Sequence, residues 1–359
     1  MFDFYKNKKV LITGHTGFKG SWLAFWLHNL KADVYGYSLA PPTDPCLFEI
    51  LNLSGKINHN SGDILDSEKL NLLFQEIQPE IVFHLAAQPI VRRSYIIPKL
   101  TYETNVIGTI NVLEAIRNTK SVKSAVVVTS DKCYENTASI NGYRESDPMG
   151  GYDPYSSSKG CTELVVSAYR KSFYNVSKYG DQHQVAIASA RAGNVIGGGD
   201  WAEDRLIPDC AKSISRDEEI IIRNPVAVRP WQHVLEPLAG YLLLGRQLFL
   251  NGSEYSSAWN FGPNEEDAIS VEEVVRGIIK EWGRGSFRIE ADKIFHEEKY
   301  LKLNIDKAKN LLGWNPAYSV SEAIDKTTDW YKNYYDHKEI DIVDFTRSQI
   351  EEYENKIKK

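Results

Sequence analysis

Residues 124–136 read Ser-Ala-Val-Val-Val-Thr-Ser-Asp-Lys-Cys-Tyr-Glu-Asn. An acid and a base, Asp131 and Lys132, stand side by side directly after an apolar run. At the mouth of a buried strand such a pair is either a capping ion pair or two halves of a proton-transfer device. Further along, Tyr155-Ser-Ser-Ser-Lys159 places a phenol and an ammonium at i and i+4. On a helix they share one face, one turn apart. An ammonium favours phenolate and lowers the phenol's pKa. A phenol so lowered can take a proton from an alcohol near neutral pH. Burial of Asp131 and Lys132 disfavours both charged forms, while their mutual attraction restores them. A strongly coupled pair is expected.

A third feature needs no side chains. Gly14-His-Thr-Gly17-Phe-Lys-Gly20 has the spacing G-x-x-G-x-x-G between a strand and a helix. Glycines there allow a tight turn and let backbone N–H groups approach a pyrophosphate, with the helix N-terminus adding positive potential. The carboxylate expected about twenty residues on, to bind a ribose 2′-hydroxyl, is missing. The chain runs Tyr37-Ser-Leu-Ala-Pro-Pro-Thr43 with no acid before Asp44, and no Lys or Arg lies between Ser38 and Lys56. The missing cation favours NAD over NADP. Asp63 is the next acid; it either accepts from an adenine amino group or closes a turn.

These groups need a frame, and the chain supplies one. Apolar runs at Lys9–Thr13, Asp33–Tyr37, Glu80–Leu85, 124–129 and Gln184–Arg191 alternate with helical patterns at Gly20–Leu30, Glu68–Ile77, Tyr102–Asn118 and Tyr155–Phe173. This rhythm predicts an α/β fold, a Rossmann-type doubly wound parallel sheet. After about residue 195 the rhythm breaks into short, Pro- and Gly-punctuated elements. The expected division is a dinucleotide-binding domain over 1–190, a smaller C-terminal substrate-binding lobe over 191–335 and a charged tail over 336–359. Elements around 230–255 should return to the first domain. The apolar stretch Pro237–Leu250 carries Arg246 and reads as a buried helix, too short to cross a membrane.

Taken together, the glycine loop, His84-Leu-Ala-Ala-Gln88, Ser130 and Tyr155-x-x-x-Lys159 resemble the extended short-chain dehydrogenase/reductase superfamily. Within it, Thr129-Ser-Asp-Lys-Cys-Tyr134 resembles the nucleotide-sugar 4,6-dehydratases. Thymidine-nucleotide members carry Thr-Asp-Glu there; Lys132 in the third position is similar to the CDP-glucose 4,6-dehydratases. Gly14–Trp22, Gly193–Trp201 and Val228–Val234 look like the same family, and the likeness runs from about residue 8 to about 330.

The resemblance implies conversion of CDP-D-glucose to CDP-4-keto-6-deoxy-D-glucose and water with tightly retained NAD. Tyr155 would take the 4-OH proton, Lys159 support it and Ser130 hold the 4-oxygen. Lys132 would take the C5 proton and Asp131 protonate the departing 6-OH, although the order of acid and base stays open. Cofactor contacts would come from Gly14, Thr16, Gly17, Phe18, Lys19 and Gly20. Asp63, Ile64, Leu85, Ala86, Ala87 and Asn105 would join them, with Tyr155 and Lys159. Gln88, Arg93, Asn194, Arg205, Arg229 and Tyr300 would meet the substrate, Arg229 at its pyrophosphate. Trp201 and Trp231 either close the pocket or fill the core.

Other readings on this scaffold are a dehydratase or 4-epimerase of UDP-, dTDP- or GDP-sugars, and a non-catalytic dinucleotide sensor. An epimerase does not need Asp131 and Lys132, and a sensor does not need Tyr155 and Lys159.

Bulk properties narrow the rest. The 359 residues carry a net charge of -6, so nothing suggests a nucleic-acid partner. No N-terminal apolar region resembles a signal peptide. Four scattered cysteines, without C-x-x-C or zinc spacing, suit a reducing, cytoplasmic setting and no metal. His233 reads as a structural histidine, and Cys133 as packing. The resemblance implies a dimer or tetramer paired through helices near 102–118 and 155–173, whose apolar residues could equally face the sheet.

Overall fold

Short runs of β-branched and apolar residues, too brief for helices, build the centre of the molecule. The computed structural model describes residues 2–137, 141–290 and 301–358. Its strands are β1 (Lys9–Thr13), β2 (Asp33–Ser38), β3 (Asn58–Ser61), β4 (Ile81–His84), β5 (Ser124–Val128), β6 (Ala186–Ala192) and β7 (Val195–Ile196). They continue as β8 (Ile220–Ile222), β9 (Val228–Pro230), β10 (Gln232–His233), β11 (Ala258–Phe261), β12 (Ala268–Ser270) and β13 (Phe287–Ile289). Seven strands form one parallel sheet in the order β11-β6-β5-β4-β1-β2-β3. The strand order reverses between β1 and β4. In doubly wound sheets that crevice, beyond the carboxyl ends of the strands, is where ligands bind.

Successive strand residues alternate between two cores, as the two-residue period requires. Val10, Ile12, Phe83 and Val126 face one cluster; Leu11, Val82, Ala125 and Val127 face the other. The first cluster includes α1 (Phe18–Asn29), followed in the chain by α2 (Leu47–Ile50). The second is closed by α3 (Ser67–Ile77) and, after α4 (Val91–Ile96) and α5 (Pro98–Tyr102), by α6 (Gly108–Arg117) and α7 (Pro154–Ser172). Strands buried on both faces read as continuous apolar runs, which is why β1, β4 and β5 were legible. β3 was not: Asn-His-Asn-Ser is polar and mostly exposed, and pairs only at the sheet edge with β2.

The later chain forms α8 (Leu206–Ser215), α9 (Leu235–Asn251), α10 (Val271–Trp282), α11 (Val320–Asp336) and α12 (Ile342–Lys356). Leu238, Leu242 and Leu244 of α9 are fully buried in the first cluster. β11 then adds the seventh strand of the sheet. The remaining strands form three small pairs, β7 with β10, β9 with β12 and β8 with β13. The charged C-terminus is an amphipathic helix rather than a free arm. In α12, Ile350 and Tyr353 are buried, and Glu354 accepts from Trp26 Nε1 at 2.6 Å. Among the described residues, no helix is long and apolar enough to cross a membrane.

Candidate active site

A cavity of about 720 Å³ opens at the strand-order reversal. Its floor is the glycine loop. Gly14 has φ +78°, and a Cβ there would fall 2.6 Å from the Ala86 nitrogen. At Gly20 it would fall 2.1 Å from the Gly14 oxygen. No larger residue fits either position. The N-cap of α1, Gly17, has no side-chain cap bond. Gly17, Phe18 and Lys19 line the cavity. Such an N-terminus presents backbone donors to an anion. Thr16 Oγ1 bonds Ser38 Oγ at 2.8 Å and braces the loop against β2. Ile64, Leu85, Ala86 and Ala87 complete this end. Ser38, Leu39 and Ala40 line it without bringing a cation. Asp63 both lines the cavity and closes a turn, its Oδ1 accepting from Leu65 N at 2.9 Å.

The reacting groups sit opposite, on two elements. β5 ends at Val128, and Ser130 caps a short turn over Asp131–Cys133. Ser130 Oγ accepts from Lys132 N at 3.2 Å and donates to Asp131 Oδ1 at 2.8 Å. Asp131 is buried; Lys132 is half-exposed at the cavity wall. The coupled ion pair expected of these neighbours does not form: among the described residues no salt bridge joins them. Asp131 takes the Ser130 hydroxyl instead. Gly193 makes room for it, since a Cβ there would fall 1.9 Å from Asp131 Oδ2.

Tyr155 and Lys159 come from the first turns of α7. Asp153 caps that helix, accepting from Ser156 N at 2.9 Å and Ser156 Oγ at 2.6 Å, and Pro154 takes the first helical position. Both functional side chains are buried and line the cavity. The expected lowering of Tyr155 is not found. Burial pushes the phenol up to about 12, with Asp131 adding to it against Ser130 and Arg205. Burial also brings Lys159 down to about 8, and its ammonium reaches Val128 O at 3.5 Å. Desolvation disfavours both charged forms, and it is the largest influence on each.

Asn194, Arg205 and Arg229 line the same cavity. Asn194 is in the left-handed region, φ 51°, and its carbonyl accepts from Gln232 N at 3.1 Å. Arg205 Nε lies 3.7 Å from Asp200 Oδ2, and Arg229 Nη1 bonds Val228 O at 3.0 Å.

Three expected contacts are not brought there. Gln88 folds back on its own loop, bonding Ile90 O at 3.1 Å and Thr101 Oγ1 at 3.0 Å. Arg93 is exposed on the outer side of α4, and its neighbour Arg92 faces the cavity. Asn105 lies one layer behind as a brace for α7, donating to Ser158 Oγ at 2.8 Å and accepting from Gln88 N at 2.8 Å. Its carbonyl also accepts from Thr162 Oγ1 at 2.9 Å. One helical position separates Arg92 from Arg93, and sequence spacing alone did not resolve it. Tyr300 lies outside the described residues.

Trp201 lines the cavity but is buried, with its Nε1 on Tyr335 OH at 2.9 Å and its ring edge-on to Trp330. His233 is fully buried and pushed down to about 3 by burial, a neutral ring packed against Trp22 and Tyr318. Cys133 is buried in the turn. Asp153 was missed, although an Asp before Pro-Tyr at a helix start is a legible cap.

A family profile described as GDP-mannose 4,6 dehydratase matches residues 11–327. The CDP-glucose 4,6-dehydratase of Salmonella typhimurium strain LT2 is 51% identical over 331 residues, 92% of each chain. The chain belongs to the nucleotide-sugar 4,6-dehydratase family. A dTDP-glucose 4,6-dehydratase of Xanthomonas campestris is 27% identical over 89% of this chain and 92% of its own. Among solved structures, a dTDP-glucose 4,6-dehydratase from Bacillus anthracis in complex with NAD superposes with TM-score 0.74 at 23% identity, covering 91% and 97% of the two chains. A UDP-glucose 4-epimerase from Stenotrophomonas maltophila reaches TM-score 0.79 at 21% identity, covering 91% and 98%. Those two likenesses are of fold.

Proposed function

We propose that this dehydratase converts CDP-D-glucose to CDP-4-keto-6-deoxy-D-glucose and water. The observation that carries the reading is that the Ser130-Asp131-Lys132 turn and Tyr155 line one cavity with the glycine loop. The cytidine assignment rests on the 51% identity to the Salmonella enzyme. The glycine loop, the uncapped start of α1 and the cation-free Ser38–Ala40 edge fit NAD. Gly14, Gly17 and Gly20 with the start of α1 would hold NAD, which would supply a reversible hydride acceptor for oxidation at C4 and reduction at C6.

The chain does the proton work. Tyr155 takes the proton of the 4-hydroxyl, and Lys159 favours the resulting phenolate. Ser130 holds the 4-oxygen. The 4-ketone acidifies the C5 hydrogen, which Lys132 takes and gives back to C5 once the hydride has reached C6. Asp131 protonates the departing 6-hydroxyl, which leaves as water. Asn194, Arg205 and Arg229 hold the nucleoside diphosphate, Arg229 by a planar fork suited to phosphate oxygens.

The same reading makes the protein a cytoplasmic homo-oligomer, a dimer or tetramer. Four free cysteines and the exposed Ile107, Leu164 and Phe173 support it. The test is incubation with CDP-glucose followed by alkali, reading the ultraviolet band of 4-keto-6-deoxy sugars. A band with CDP-glucose is expected. A band only with UDP-, dTDP- or GDP-sugars would overturn the cytidine assignment.

A further inference from the structure

One buried carboxylate behind the site takes no part in these steps. Glu163 lies on α7 one turn beyond Lys159 and two beyond Tyr155, with 3% of its surface exposed. Its Oε1 accepts from Thr129 Oγ1 at 2.5 Å. Its Oε2 accepts from Ser189 Oγ at 2.7 Å and from Arg191 Nη2 at 2.8 Å. Thr129 immediately precedes Ser130, and Ser189 and Arg191 belong to β6. One side chain therefore ties the helix carrying Tyr155 and Lys159 to the strand end carrying Ser130.

The network continues outward, with the buried Arg191 Nε left without a hydrogen-bond partner. Arg191 Nη1 bonds Tyr134 OH at 2.6 Å, and Tyr134 OH donates to Asn260 Oδ1 at 2.7 Å. Burial alone would raise the Glu163 carboxyl. The Arg191 charge and the bonds from Arg191, Thr129 and Ser189 bring it below its ordinary value instead. Glu163 is thus a compensated interior anion. Such anions are costly unless fully partnered, and here the partners are the flanks of the active site.

We propose that Glu163 is a positioning residue for the reaction: it holds Ser130 opposite Tyr155 and supplies the counter-charge that keeps Lys159 an ammonium. This rests on reading Tyr155 and Lys159 as the oxidation pair. Lys159 makes no salt bridge among the described residues, and its one hydrogen bond is the long contact to Val128 O. The titratable groups facing it are Glu163 and Tyr155 on its own helix, Cys133 in the turn after β5, His84 on β4 and Lys19 on α1. Burial keeps Tyr155 and Cys133 protonated and His84, at about 3, neutral; Lys19 is itself a base. Glu163 is the one anion of that set. Even with it, burial brings Lys159 to about 8. Without it the ammonium is lost closer to neutrality.

A merely structural tie would affect stability and leave the titration of Lys159 unmoved. The test is an NMR titration of isotope-labelled lysine side chains, with Lys159→Met assigning the signal, alongside the pH profile of kcat/KM. Glu163→Gln should move the Lys159 titration, and the alkaline limb of kcat/KM, down by about one unit. Glu163→Asp keeps the charge and should restore the titration, with kcat still below wild type. Thr129→Val keeps the Glu163–Arg191 pair. It should lower kcat about three- to tenfold at unchanged KM, a loss of orientation.

If Glu163→Gln does not fold because Arg191 is left unpaired, the double variant Glu163→Gln/Arg191→Met carries the charge test. A Lys159 titration unmoved by loss of the Glu163 charge overturns the counter-charge role. So does an equal shift in Glu163→Asp. A Thr129→Val enzyme with wild-type kcat overturns the positioning role. The titration needs no sugar, so inactivity toward CDP-glucose together with the predicted shift would remove the proposed activity and leave the counter-charge role standing.

Discussion

Gly193→Ala probes the position of the Asp131 carboxyl without touching a reacting group. Gly193 follows β6, and its φ lies outside the left-handed region, so alanine adds no backbone strain. The obstacle is Asp131. The new Cβ would lie 1.9 Å from Oδ2 and 2.1 Å from Cγ. Ordinary contact starts at 3.4 Å, so the carboxylate must retreat by about 1.5 Å, the difference between 3.4 Å and 1.9 Å. Retreat also strains the 2.8 Å bond from Ser130. A misplacement of about 1 Å costs on the order of 100-fold in rate, or about 2.7 kcal/mol of barrier. The lost hydrogen bond costs about 1 kcal/mol of stability, a fall in Tm of a few degrees. Dehydration is followed by the alkali-developed band, folding by thermal melting, and cofactor affinity by calorimetry. The expected result is kcat about 100-fold lower with KM and NAD affinity near wild type. A folded variant dehydrating within about threefold of wild type would refute the placement of the acid.

Three further outcomes follow from the same geometry. Lys159 is charged below about pH 8 and neutral above it, so kcat/KM should fall as pH rises through about 8; a profile flat to pH 10 contradicts an essential ammonium. Arg229→Met should raise the KM for the nucleotide sugar at least about tenfold with kcat within threefold, a loss of uniform binding, measurable also as weaker CDP binding. Asn105→Ala removes three hydrogen-bonding links around α7 and should cost about 2–3 kcal/mol in chemical denaturation. NAD affinity should hold, because Asn105 lies behind the cavity; a large loss of affinity would restore it as a cofactor contact.

How much of this was readable beforehand depends on what each element contributes. β1, β4 and β5 were legible because a parallel strand buried on both faces must be apolar throughout. β3 was not, because an edge strand of Asn, His and Ser has no such requirement; its pairing with β2 fixes it. The glycine loop and the Tyr155/Lys159 pair were legible because fixed spacing on one turn or one helix face dictates proximity. Long-range relations were harder. Asp131 and Lys132 are adjacent in sequence, yet among the described residues no salt bridge joins them and Asp131 takes the Ser130 hydroxyl. Gln88 and Arg93 were assigned by nearness to a strand end; local hydrogen bonds and one helical position moved them off the cavity. The depression of Tyr155 failed for a quantitative reason: burial opposes phenolate more than its surroundings favour it. Glu163 was missed, although it continues the four-residue step from Tyr155 through Lys159 along one face of α7.

The central claim is that Asp131 is the acid that expels water after the sugar has been oxidised. Asp131→Asn, incubated with CDP-glucose and examined by mass spectrometry of the nucleotide product, tests it directly. The account predicts a 4-keto sugar that keeps its 6-hydroxyl, with no 4-keto-6-deoxy product. Formation of the 4-keto-6-deoxy sugar at the wild-type rate would contradict it.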